Sequence, residues 1–320
     1  MTAYEVLLQQ LLTGLSNGMI IALIAMGYTM VYGIIELINF AHGDLFMLGC
    51  FFALTALGCT GLFDVPPDSI AAWCAIFIML LSTPLFCALI NLLIDRLAYK
   101  PLRRAPKLAP LVSAIGVSFI LLNIGLFWGG IPLEVFGFGR SAASPKDFPA
   151  LLSSDNLFGE SSIIFSLRDL LVFVVTIPLL IGLTYFVKFT RTGKAMRAVA
   201  QDPIAAQLMG IPVDKIISRT FMIGGSLAGI ASVIYALTYN TIYFQMGYRV
   251  GIDAFTAAVL GGIGSLPGAV LGGIALGVIR SMSDQYLATQ WTNSVVFGIL
   301  ILVLIFRPSG ILGRKIREKV

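Results

Sequence analysis

KFTRTGKAMRAVAQDPIAAQLMGIPVDKIISR (residues 188–219) carries six basic side chains and only two acids, and long apolar runs lie on both sides of it. A polar segment of this length between membrane spans lies in water, and its Lys/Arg excess places it on the cytosolic side. Within it, Asp202, Pro203, Gly210 and Pro212 punctuate a short helix. Asp202 suits an N-cap, Pro203 suits the first helical position, and Gly210 can take the left-handed position before Pro212 blocks extension. The enclosed residues, Ile204, Ala205, Ala206, Gln207, Leu208 and Met209, are mostly apolar. An apolar helix in a cytosolic loop calls for a partner surface.

Outward from this loop, the composition is that of a membrane protein. Of 320 residues, 58% are hydrophobic and 12% charged, so uncharged runs of helix-spanning length recur along the chain. A β-barrel would instead show short alternating segments. The fold class expected is an all-α polytopic membrane protein in the lipid bilayer, one domain over residues 1–320. The net charge of +5 does not mark a nucleic-acid binder. Sixteen of the 21 basic residues fall in three patches, 96–107, 188–219 and 307–319, which makes the charge a topology signal. Cys50, Cys59, Cys74 and Cys87 lie in apolar runs without CxxC spacing, so neither a metal site nor a disulfide frame is expected. Glu5 and the absence of a basic n-region give no sign of a cleaved signal peptide.

The first apolar run, residues 6–35, contains Gly14-x-x-x-Gly18, and residues 221–244 contain Gly225-x-x-x-Gly229; either pair can bring helices close. Residues 45–63 and 70–94 follow the first run, with Pro84 a kink candidate, and the basic loop 96–107 is cytosolic. Residues 111–133 and 170–187 are further spans around a polar external loop, 134–167. Between 254 and 279, Gly261, Gly262, Gly264, Pro267 and Gly268 rule out one continuous helix. Arg249 is expected outside and the tail after Arg307 inside, with residues 295–306 crossing once. The glycine-rich stretch then enters and leaves on the same side, as a re-entrant or broken pair. A cytosolic N-terminus would make 45–63 re-entrant too. About eight membrane segments then resolve into six full crossings and two re-entrant or broken ones. Residues 6–94 and 220–306 would share one plan, a pseudo-repeat of the kind that brackets a translocation path. If 45–63 crosses fully, the N-terminus is external and that symmetry fails.

No catalytic constellation is visible. His42 is the only histidine, and Gly193-Lys194 lacks the rest of a phosphate loop. The polar cluster Glu36, Asn39, His42 and Asp44 reads either as a solvated interfacial turn or as groups held at membrane depth, where polar side chains line paths or pair. Arg280, Ser281, Ser283 and Asp284 form a comparable group.

Five stretches carry a family resemblance: TMVYGIIELINFAHGDLFMLG (29–49), RLAYKPLRRAPKLAPLVSAIGVSFILLN (96–123), TGKAMRAVAQDPIAAQLMGI (192–211), AFTAAVLGGIGSLPGAVLGG (254–273) and RPSGILGRK (307–315). The chain resembles the smaller of the two permease subunits of bacterial high-affinity branched-chain amino acid ABC importers, over nearly its whole length except 134–167. The resemblance implies an inner-membrane permease working with a second, homologous permease, two ABC ATPases and a periplasmic amino-acid-binding protein. No cofactor is expected on this chain; ATP and Mg belong on the ATPase partners. Importers of this type carry a cytosolic EAAxxxG motif. Here Ala205, Ala206 and Gly210 keep its spacing, and Ile204 replaces the Glu. Gly193, Arg197, Asp202, Ile204, Ala205, Ala206, Leu208, Met209 and Gly210 are therefore the expected ATPase-coupling residues. Asn39, His42, Asp44, Gly261, Gly262, Gly264, Ser265, Pro267 and Gly268 are the expected path residues. The alternative is a related ABC permease for urea, short amides or other amino acids. A stand-alone secondary transporter would need no apolar cytosolic helix, and no series of intramembrane acids supports one.

Overall fold

Lipid offers the peptide backbone no hydrogen-bond partner, so apolar runs of spanning length fold as helices. A computed structural model describes residues 2–35, 39–103, 105–106, 108–137, 139–159, 161–307 and 309–313. Glu36, Arg104, Lys107 and the basic residues after Gly313 lie outside the described residues. The helices are α1 (Ala3–Ile35), α2 (Ala41–Thr60), α3 (Ile70–Ile94), α4 (Leu108–Gly129), α5 (Leu167–Phe189), α6 (Arg191–Gln201), α7 (Pro203–Leu208), α8 (Val213–Tyr239), α9 (Met246–Gly261), α10 (Leu266–Tyr286) and α11 (Thr292–Phe306). All except α6, α7 and α9 form helical segments long and apolar enough to cross a bilayer. A two-stranded ribbon pairs β1 (Lys146–Asp147) with β2 (Thr241–Ile242), antiparallel.

The two ends of the bundle differ in charge. One gathers Lys100, Arg103, α6 and α7, and is the cytosolic end by its basic excess. The other gathers the β-ribbon and loop 134–167, where Leu151 O accepts from Asp68 N at 3.0 Å and Asn240 Oδ1 from Arg168 Nη1 at 2.6 Å. Lys146 is buried there, its Nζ donating to Ser141 O at 3.0 Å. Burial, joined by the nearby Arg140 charge, holds its pKa below the ordinary lysine value.

The course of α1 decides between the two topologies that the sequence left open. Gln9 exchanges two hydrogen bonds with the Ile164 backbone, at 3.1 and 2.7 Å, so α1 starts at the external end. Ile34 and Ile35 line a cytosolic cavity with Arg103 and Ile204. The N-terminus is therefore external. Residues 45–63 are not re-entrant: α2 starts inside the bundle, with His42 beside Gly27 of α1, and ends with Gly58 packed on Val135 of the external loop. No Lys or Arg occurs before Arg96, so the charge rule has nothing to act on across the first three helices.

A repeat exists, with other bounds and inverted. α1 packs along α10 as α8 packs along α3, and α1 meets α9 as α8 meets α2. α1 and α8 run in opposite directions, with Asn17 bonded to Tyr239 at 2.9 Å and Gly27 facing Gly224. The halves are residues 3–94 and 213–286, so α10 rather than 295–306 supplies the third helix of the second half. Both GxxxG pairs serve this arrangement. A Cβ on Gly14 or Gly18 would stand 2.7 and 2.8 Å from the Cα atoms of Val278 and Ile274 in α10. A Cβ on Gly229 would stand 2.7 Å from the Cα of Pro84 in α3. Small residues let these backbones approach and gain van der Waals contact that lipid cannot supply.

The glycine-rich stretch breaks between α9 and α10 and returns to the external side, as parity requires. Gly262 has φ 109°, a conformation that side chains avoid. The turn sits at the cytosolic end, where Ile311 N and Leu312 N donate to Leu260 O and Gly261 O at 3.0 and 2.9 Å.

Candidate functional site

α2 begins beside the middle of the bundle. His42 Nε2 lies 2.8 Å from where a Cβ on Gly27 would stand, and α1 runs eight residues beyond Gly27 to Ile35. At 1.5 Å per residue, α2 thus starts about 12 Å inside the end of α1. The first turn of α9 arrives at the same place: Gly43 and Gly247 are so close that neither has room for a Cβ. Two helix N-termini, each carrying the positive end of its dipole, face one point in the core.

The polar groups at this point are buried, which excludes a solvated interfacial turn for them. Asn39, His42 and Asp44 are 3%, 1% and 2% exposed. Tyr99 Oη donates to Asn39 Oδ1 at 2.9 Å, tying the connection before α2 to the end of α3. Tyr28 meets the His42 ring edge-on, with centroids 5.6 Å apart. Asp44 Oδ2 accepts from Ser118 Oγ of α4, and its Oδ1 faces Gly247. Among the described residues, Asp44 Oδ1 and Asn39 Nδ2 have no hydrogen-bond partner, and the His42 ring lies against the Ile24 backbone. Each such buried group costs about 1–3 kcal/mol, so this is a strained polar hub in an apolar bundle. No group of three His, Cys, Asp or Glu among the described residues could hold a metal ion.

The other expected path residues lie apart from this hub. Gly261 and Gly268 press backbone to backbone across the α9–α10 turn. Ser265 caps α10, its Oγ accepting from Gly268 N at 3.2 Å, with Pro267 in the first turn. Gly264 and Ser265 border a cytosolic cavity of about 670 Å³ with Lys188, Lys194 and Arg197.

The loop 188–219 holds more helix than its punctuation announced. α6 precedes α7, capped by Thr190 Oγ1 accepting from Gly193 N at 3.0 Å, and residues 213–219 are already the first turns of α8. Met196 and Val199, three apart, bury one face of α6. Gly193 is buried against the Phe186 and Val187 backbone, and Arg197 donates to Lys188 O at 3.0 Å. Both residues fasten α6 to α5.

α7 begins and ends as its residue types require. Asp202 Oδ1 accepts from Ile204 N and Ala205 N at 2.9 and 3.0 Å. Gly210 has φ 80°, and Gly210 N and Ile211 N donate to Gln207 O and Ala206 O, both at 3.0 Å, a Schellman ending. Ala206 is buried, whereas Ile204, Leu208 and Met209 are 74%, 83% and 82% exposed. Ile204 and Leu208 on this six-residue helix, with Met209 at its end, form an exposed apolar patch on the cytosolic side.

Two buried ion pairs were not foreseen. Asp95, fully buried, accepts from Arg103 Nη2 at 2.5 Å and from Ser218 Oγ at 2.6 Å, and Arg103 also reaches Asp214. Asp253 of α9 pairs with Arg280 of α10. Arg103→Gln removes the cation from Asp95, and breaking a buried pair costs about 3–5 kcal/mol. The expected result is a thermal midpoint lowered by several degrees in detergent; an unchanged midpoint would show that Ser218 alone satisfies Asp95.

An inverted helical repeat, discontinuous central helices and a polar hub where two N-termini meet define a membrane permease. The chain belongs to the family described as branched-chain amino acid transport system / permease component, whose profile matches residues 10–305. It is 45% identical over 319 residues, 98% of each chain, to the high-affinity branched-chain amino acid transport system permease protein BraD of Pseudomonas aeruginosa. It is 37% identical over 316 residues to LivH of Escherichia coli K12, covering 98% of this chain and 97% of that one. A probable branched-chain amino acid transport permease protein LivH of Methanocaldococcus jannaschii is 30% identical over 305 residues, 92% of this chain and 89% of that one. No solved structure matches the chain.

Proposed function

We propose that the chain is the inner-membrane permease subunit of an ATP-driven importer for branched-chain amino acids, working by alternating access. The observation that carries the reading is the pairing of a core hub, where α2 and α9 meet, with an apolar handle, α7, on the cytosolic side. The relatives are named for transport of branched-chain amino acids, which selects the substrate class. A handle of three exposed apolar side chains fits a groove on a partner protein. ATPase subunits gripping α7 would rotate the two inverted halves about their shared centre. ATP and Mg sit on those subunits, a second homologous permease completes the membrane part, and a periplasmic binding protein delivers substrate to the external end.

Uptake of labelled leucine by vesicles holding the complete complex tests this. Uptake should require ATP inside and the binding protein outside, and excess valine should compete while urea does not. Competition by urea would move the substrate to short amides. Leucine uptake by this chain alone, driven by an ion gradient, would refute the importer reading.

A further inference from the structure

At the external end, α1, α8, α9 and α10 enclose a cavity of about 390 Å³, within the size range of small-ligand pockets. Its walls are chemically divided. α9 contributes Arg249 and Asp253, and α10 contributes Arg280 and Asp284, each pair one turn apart on its helix. α1 contributes Ile20, Ile21 and Ile24 beside Asn17, and Tyr235, Tyr239 and Tyr243 add their rings to the lining. Ile24 also approaches the His42 ring, so the floor of the cavity is the roof of the polar hub.

The four charges sum to zero, but they are not equally engaged. Arg280 is held by Asp253 and, at 3.1 Å, by Asn293 Oδ1. Asp284 accepts from Thr292 Oγ1. Arg249 has no hydrogen bond or ion pair among the described residues, and it borders the cavity one turn from the Asp253 carboxylate. A free guanidinium is a fork for a planar carboxylate, and the acid beside it suits an ammonium group. With three branched aliphatic side chains in the same lining, the complementary ligand has both charges at one end and a hydrocarbon at the other.

We infer that this cavity is a receiving subsite for a free α-amino acid with an aliphatic side chain, in which Arg249 takes the carboxylate, Asp253 takes the ammonium group, and Ile20, Ile21 and Ile24 take the side chain. The inference rests on the import reading above and deepens it, because it makes this chain a second reader of the substrate after the binding protein. A neutral amide such as urea has no use for opposite charges set one helical turn apart.

The test uses the assembled complex in lipid nanodiscs without its binding protein, with labelled L-leucine in equilibrium dialysis. Two analogues each lack one charge: L-leucinol has no carboxylate, and 4-methylpentanoate has no ammonium group. Saturable leucine binding is expected, with both analogues at least 10-fold weaker competitors. Arg249→Gln, at an exposed side chain with no hydrogen bond or ion pair among the described residues, should weaken leucine at least 10-fold and leave leucinol unchanged. Equal weakening of both ligands would overturn the carboxylate assignment. Unchanged leucine binding with weakened association of the binding protein would overturn the subsite in favour of a docking contact. Absence of saturable binding in a complex that still imports leucine with its binding protein would sink the subsite and leave the import reading intact. A complex that imports no leucine at all would sink the import reading itself.

Discussion

Ile204→Asp combined with Leu208→Asp should cut leucine uptake at least 100-fold while leaving the chain folded in the membrane. Both side chains are exposed and cap nothing, so the variant loses no native packing, and surface changes of this kind stay within about 0.5 kcal/mol. Docked in a partner groove, each side chain would contribute about 1.5–3 kcal/mol of apolar burial. Losing two of them therefore removes about 3–6 kcal/mol, and 1.4 kcal/mol is a factor of ten in affinity. Placing a carboxylate in the groove adds desolvation cost to that loss. Gly210→Val tests the same helix from its other side. At φ 80° a branched side chain is strained by about 1–2 kcal/mol, and relieving it undoes the two hydrogen bonds that close α7. The companion measurements are co-purification of the ATPase subunits and the coupling of ATP hydrolysis to uptake. Normal uptake by the double variant, with ATPases still attached, would remove α7 from the coupling route.

What the sequence makes legible here is local. The ends of α7 were readable because Asp202, Pro203 and Gly210 act within one or two turns of themselves. The break at Gly262 was readable because clustered glycines and Pro267 oppose a helix wherever they occur. The two GxxxG pairs announced close packing, although nothing in them named α10 and α3 as the partners. Direction across the membrane was a different matter. It depends on charged flanks, and the first 95 residues contain no Lys or Arg, so the side of the N-terminus, and with it the course of α2 and the symmetry of the first half, stayed open. The polar hub was half legible: Asn39, His42 and Asp44 stood out as polar residues between apolar runs, but their burial comes from partners far along the chain, Tyr99, Ser118 and, some 200 residues later, α9. The pairs Asp253–Arg280 and Asp95–Arg103 escaped notice because the partners lie 27 and 8 residues apart, and even Arg280, which stood out in a polar group, gave no sign of Asp253 as its partner. α6 left a fainter trace, apolar Met196 and Val199 at helical spacing in a basic segment.

Gly43→Val should prevent the chain from accumulating in the membrane, with any surviving protein unable to import leucine. Gly43 stands where the first turns of α2 and α9 cross. A Cβ there would overlap the Gly247 carbonyl oxygen and lie 2.7 Å from the Cα of Gly251. Overpacking commonly costs about 1–3 kcal/mol when side chains can shift. Here backbone meets backbone, no rotamer change relieves the overlap, and α9 is held on its far side by the Gly261–Gly268 and Gly272–Ala257 contacts with α10. The helices would have to separate, carrying His42 and Asp44 away from Tyr28 and Ser118 and exposing polar groups that lipid cannot satisfy. Gly116→Ala is the matched control. It lies in α4 with nothing within 4 Å of a new Cβ, so the substitution should be neutral or stabilising by up to about 1 kcal/mol through helix propensity. Membrane yield, thermal midpoint in detergent and leucine uptake are to be measured on both variants together. Wild-type values for Gly43→Val would mean that α2 and α9 separate freely at their N-termini, and the hub could then no longer serve as the fixed centre about which the two halves turn.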